Sequence, residues 1–126
     1  MIEVLGTSRK PDVTFRKNGA IDISAWVSKR LGLRSGDTIG VAYDGNDYLL
    51  FVRAKREQII GRHHAVCYAT NRGSHNHRCH STALCRKVLH LAGARDIARL
   101  PVGEFREIEG HPAFVLIIRN NLADKI

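Results

Sequence analysis

Apolar and polar residues alternate in two short stretches near the start of the chain. In VTFRK, residues 13–17, Val13 and Phe15 share a face with Lys17 while Thr14 and Arg16 take the other, the pattern of a half-buried β-strand. AIDIS, residues 20–24, alternates again, with Ile21 and Ile23 directed inward and Asp22 outward. Asn18 and Gly19 between them tolerate the positive φ of a tight hairpin. The period then changes. Val27 and Leu31 lie one helical turn apart behind Ser24, a suitable N-cap, and Trp26 beside them is assigned to the core. Gly32 ends this helix, Leu33 returns to the core, and Ser35, Gly36 and Asp37 make a turn. TIGVAY (38–43) and YLLFVR (48–53) form a closing hairpin around Asp44, Gly45, Asn46 and Asp47.

The same order recurs further on. Residues 65–70 make a first strand, 71–76 a longer turn and 77–81 a second strand. Ser81 or Thr82 caps a helix whose apolar stripe is Leu84, Cys85, Val88, Leu89 and Ala92, and Gly93 stops it. Residues 96–100 match 38–42, and 113–119 match 48–53, with an excursion through Pro101, Gly103 and Glu104 between them. Lys29 aligns with Lys87 and Leu31 with Leu89. The expected fold class is α+β, mostly β. Two tandem β-β-α-β-β units, 13–53 and 66–119, pack as a pseudo-dimeric β-barrel-like domain within one compact domain, 1–126. Low identity between the units leaves open a second arrangement, two unrelated β-α units in series.

Three features of the first unit occur in a characteristic order: the strand-turn-strand FRKNGAIDIS (15–24), the helix-to-turn LGLRSGD (31–37) and the hairpin IGVAYDGNDYLLFV (39–52). In these it resembles the swapped-hairpin DNA-binding domain of the AbrB and MazE-like bacterial regulators. The likeness covers about forty residues, a third of the chain. Family members commonly carry a proline just before the helix, where this chain has Ser24 and Ala25. Such domains usually dimerise to complete the fold, so the resemblance implies that an internal second copy replaces the partner chain. It also implies a first hairpin that faces DNA.

Charge adds to this picture. The formal net charge is +8, with 20 Lys and Arg against 12 Asp and Glu. Between Glu57 and Asp96 there is no carboxylate side chain, while Arg62, Arg72, Arg78, Arg86, Lys87 and Arg95 share that stretch with six of the seven histidines. Such a surface attracts phosphate backbones independently of sequence. Carrying the family's hairpin onto this chain nominates Arg16 and Lys17 beside the first turn, Arg9 and Lys10 on an N-terminal arm, and Arg72, His75 and Arg78 around the second turn. Arginine at a hairpin tip suits both phosphate contact and readout of guanine.

Other chemistries are poorly served. His75, His77, Cys79 and His80 are metal-ligand types, but strand alternation separates His77 and Cys79 from His80, and no CxxC or HxxxH pair occurs. No phosphate-cradling glycine loop is present, and no acid in the basic stretch is available to orient a histidine. The expectation is therefore no metal, no cofactor and no enzymatic activity. No apolar run is long enough to span a membrane, the N-terminus is not a signal peptide, and an odd count of three cysteines does not read as a disulfide framework, so a cytoplasmic location is expected. The function expected is a DNA-binding regulator, a monomer with internal pseudo-symmetry or a homodimer. A single-stranded DNA- or RNA-binding protein of a phage or mobile element, and an assembly protein with a basic surface, are the alternatives.

Overall fold

The computed structural model describes residues 12–54, 64–69 and 76–118. In chain order the elements are β1 (Asp12–Arg16), β2 (Ala20–Ile23), α1 (Ala25–Leu31), β3 (Thr38–Tyr43), β4 (Tyr48–Arg53), β5 (His64–Ala69), β6 (His77–His80), α2 (Thr82–Ala92), β7 (Ile97–Ile108) and β8 (His111–Leu116). Local chemistry accounts for most of their limits. Ser24 Oγ accepts the Val27 N–H and Ser81 Oγ the Leu84 N–H, capping the two helices. Gly32 and Gly93 close them in the left-handed region, both at φ 67°, where a side chain would clash with its own backbone. Among the described residues no helix is long and apolar enough to cross a membrane.

The strands close into an antiparallel barrel in the order β1-β2-β6-β5-β3-β4-β8-β7, with β7 returning to pair with β1. Closure removes the unpaired edges that an open sheet would present. Inward positions fill the barrel with Phe15, Ile21, Ile23, Ile39, Leu50 and Phe114, all essentially buried, and the helices seal it with Val27 and Leu31 on α1 and Leu84 and Val88 on α2. The mostly-β fold class and its barrel therefore hold.

Four local expectations need correction. The excursion through Pro101, Gly103 and Glu104 is strand: β7 runs through it, with a register shift between Val102 and Phe105. Burial alternates only over its first four residues, so its outer half offers no periodicity to read. The last strand is His111–Leu116 rather than 113–119, entered through Glu109 and Gly110, both at positive φ. Trp26 is 44% exposed, not core. Its ring lies 5.7 Å from that of Phe114, and the Arg30 guanidinium sits 4.8 Å above it. Cys67 and Cys79 form a disulfide, because the β5–β6 register sets them directly opposite with Cα atoms 4.4 Å apart. Only Cys85 among the three cysteines is a free thiol, and burial pushes its pKa up, which suits a small core residue rather than a nucleophile.

Candidate nucleic-acid interface

The barrel's outer face carries a continuous row of residues across five strands. Cross-strand pairing joins Tyr68 to Arg78, Arg78 to Asp22, Asp22 to Thr14 and Thr14 to Arg99, linking β5, β6, β2, β1 and β7. Strand alternation puts all of these on the side away from the core residues Ile21, Ile23 and Cys79. Asp22 is the hub. Arg78 grips it with two parallel bonds, Nε to Oδ1 at 2.7 Å and Nη2 to Oδ2 at 3.1 Å, and Arg16 Nη1 also donates to Oδ2. Arg99 Nη2 lies 3.1 Å from Asp12 Oδ2.

These pairs orient charge without cancelling it. The Arg78 hydrogen bonds hold the Asp22 carboxyl below the usual carboxylate range, opposed by partial burial and reinforced by Arg16. The same pairing raises the Arg78 pKa. Yet the Arg78 and Arg99 side chains remain 60% and 71% exposed, so their outer N–H groups still face solvent. Two carboxylates, Asp12 and Asp22, are paired with Arg16, Arg78 and Arg99, which leaves net positive charge. Exposed pairs of this kind contribute at most about 1 kcal/mol each to stability, so their main effect here is to fix where the guanidinium groups lie.

The first hairpin tip docks against the start of α2. Ser81 N–H donates to Gly19 O at 2.9 Å, and His80 Nε2 lies 3.0 Å from Asn18 O. Gly19 suits φ 97°, which favours glycine, and a Cβ there would stand 2.7 Å from His80 Nε2 and push that ring aside. Lys17 projects from this turn and is exposed, while its backbone N–H is held by Asp96 O at 2.9 Å. A groove of about 390 Å³ opens beside the row, lined by Tyr68, Ala69, Arg78, His80 and Ala20 among others.

Of the residues expected at the interface, Arg16 and Arg78 meet at Asp22 on this face, and Lys17 is exposed at the adjoining turn. Arg9, Lys10, Arg72 and His75 lie outside the described residues. Two further members, Arg99 and Tyr68, escaped the reading of the sequence. Arg99 could have been found from its place between the inward Ala98 and Leu100, but nothing local says that β7 lies beside β1. His77 is buried and Cys79 is taken by the disulfide, and among the described residues no three His, Cys, Asp or Glu side chains gather as metal ligands.

A second ion-pair cluster, at the β3–β4 turn and β7, inverts this arrangement. There one arginine, Arg106, meets Asp47 at 3.1 Å, Asp44 at 3.3 Å and Glu104 at 3.6 Å. Backbone N–H groups of Asp47 and Asn46 hold the Asp44 carboxyl below its usual range, with help from Arg106. No protein-family model, curated protein or solved structure matches this chain.

Proposed function

We propose that this chain is a non-enzymatic DNA-binding protein, a regulator of swapped-hairpin type that meets duplex DNA with the outer face of β1, β2 and β6. The observation that carries the reading is the Asp22-centred row: two arginines held by one carboxylate, with Arg99 two strands along, on a face with excess positive charge. Arginines fixed in this way lose little side-chain entropy when they meet a phosphate or a guanine edge. A cytoplasmic setting belongs with this reading, and there Cys67 and Cys79 would stand largely as thiols, two small buried apolar residues.

The strand registers support two equivalent units. Exchanging β1–β4 for β5–β8 maps β2–β6 and β4–β8 onto themselves and β1–β7 onto β3–β5. With Asp22 opposite Arg78 and Leu50 opposite Phe114 at the exchange axis, the Val13–Ile23 pair takes Cys67–Cys79 as its counterpart. The Asp12–Pro101 pair then corresponds to Val66–Thr38, and the Ile39–Val52 pair to Val102–Leu116, both of which are present. In this correspondence Thr38 matches Pro101, so the earlier alignment of 38–42 with 96–100 is replaced. Helix α2 is one turn longer than α1, so Lys29 and Lys87 match from neither cap. The axis passes between Asp22 and Arg78, at the centre of the proposed DNA face.

Fluorescence anisotropy with duplex and single-stranded DNA of equal length, across a salt series, tests the reading. Duplex preference with a steep loss of affinity as salt rises is expected. Single-strand preference would favour the alternative reading, which Tyr68 supports: it is 59% exposed beside Arg78, placed to stack an unpaired base. No binding to either at low salt would sink both and leave a protein partner for the basic face.

A further inference from the structure

We propose that the groove between α2 and the β3–β4 hairpin is a binding site for a small planar aromatic carboxylate. The groove holds about 300 Å³, within the range of small-molecule sites, and Val41, Tyr43, Tyr48, Lys87, Val88 and Leu91 line it. The comparison that defines it rests on the correspondence of the two units drawn above, not on DNA binding.

In the other unit the matching space is full. There Trp26, from the first turn of α1, lies against Phe114, and Phe105 meets Phe114 edge-on with centroids 5.2 Å apart. Beyond the register shift in β7, the Phe105–Phe114 pair is the counterpart of Val41–Leu50. The counterpart of Trp26 is Ala83 counted from the helix N-cap, or Lys87 counted from the C-cap. Neither is aromatic. Three rings in one unit are thus replaced by aliphatic or cationic side chains in the other, and two of the counterparts, Val41 and Lys87, line the groove.

The remaining walls suit a ring and an anion. The Tyr43 and Tyr48 rings lie 4.7 Å apart and form an aromatic end wall, with the Tyr43 hydroxyl held by Gly45 O at 2.9 Å. Leu84, Val88 and Leu91 supply an apolar floor from α2. Lys87 is the one charged residue in the lining, and among the described residues no carboxylate pairs with it. In the filled unit Arg30, matching Lys87 from the N-cap, stacks over the Trp26 ring. A ligand ring would seat between the tyrosines and the helix, with its carboxylate at the Lys87 ammonium on the rim.

Indole-3-acetate is the probe, with indole as the uncharged control, and binding is read by calorimetry and by shifts of groove resonances in NMR spectra. A ligand of this size is expected to bind with Kd of about 1 mM or tighter. Val41→Phe, which copies the counterpart Phe105, should weaken binding at least tenfold. Lys87→Gln should weaken indole-3-acetate by about two- to fivefold, as for an exposed charge pair, and leave indole unchanged. If Val41→Phe does not fold, Leu91→Trp fills the groove from the helix side and decides the matter in the same way. No saturable binding at millimolar ligand overturns the proposal, as does binding that a filled groove leaves intact or equal affinity for indole and its acetate. Duplex DNA binding is measured on the same samples without ligand, so failure of the groove and failure of the DNA reading remain distinguishable.

Discussion

Asp22 and Arg106 are hubs of opposite kind on one barrel. Asp22 is a single carboxylate shared by Arg16 and Arg78, whereas Arg106 is a single guanidinium shared by Asp44, Asp47 and Glu104. Each cluster satisfies its central group, but the first leaves positive charge over and the second negative. The comparison shows that the stoichiometry around a hub, not the presence of ion pairs, sets the sign of the charge left over. It also gives the barrel a charge polarity, with positive charge left over around Asp22 on β2 and negative charge left over around Arg106 on β7.

Charge reversal tests this contrast most severely. Arg16→Glu with Arg78→Glu should lower duplex affinity at low salt on the order of a hundredfold, while Arg106→Glu should leave it within about twofold. Equal losses from both would erase the proposed polarity. Next in size is the effect of the disulfide, which pins β5 to the strand that carries Arg78 and has no equivalent near Arg106. Reduction, or Cys67→Ser with Cys79→Ser, should cost about 2–3 kcal/mol in a denaturant titration. Hydrogen exchange should then speed up in β5 and β6 before β4 and β8. Cys67→Val with Cys79→Ile, copying Val13 and Ile23, should give a Tm that no longer responds to reductant. A Tm for the unaltered chain that ignores reductant would mean that the bond contributes nothing.

The pH dependence is a smaller effect. Because the folded-state pKa of Asp22 is lowered, its pairing stabilises the fold above the ordinary carboxylate pKa of about 4, and this is lost as pH falls through the lowered value. Asp22→Asn should therefore flatten the acid limb of the stability profile. The change should stay below about 1 kcal/mol, since Arg78 is largely exposed and water screens the pair. Asp44 is shifted in the same direction in the Arg106 cluster, so an Asp22→Asn profile identical to that of the unaltered chain would move the acid response there.

Much of the candidate face was legible one strand at a time. Alternation put Asp22, Arg16 and Arg78 on outward positions, and the Asn18-Gly19 turn placed Lys17 at a tip. Alternation also kept His77 and Cys79 apart from His80. Trp26 was misread because a large aromatic one step from Val27 looks like core, whereas its ring packs at a tilt against Phe114 and stays 44% exposed. The disulfide was missed for a similar reason: an odd cysteine count says nothing about which two residues a hairpin register will oppose.

The sequence by itself determined the local elements: two β-hairpin and helix successions, serine N-caps at Ser24 and Ser81, glycine stops at Gly32 and Gly93, and a basic excess. These depend on φ/ψ preference and on patterns within one or two turns of chain. Tertiary structure alone decided that β2 lies beside β6 and β1 beside β7, and so that Asp22 meets an arginine 56 residues away. Those pairings are set by closing all eight strands in one mutually consistent register, a condition on the whole barrel that no local window of sequence contains.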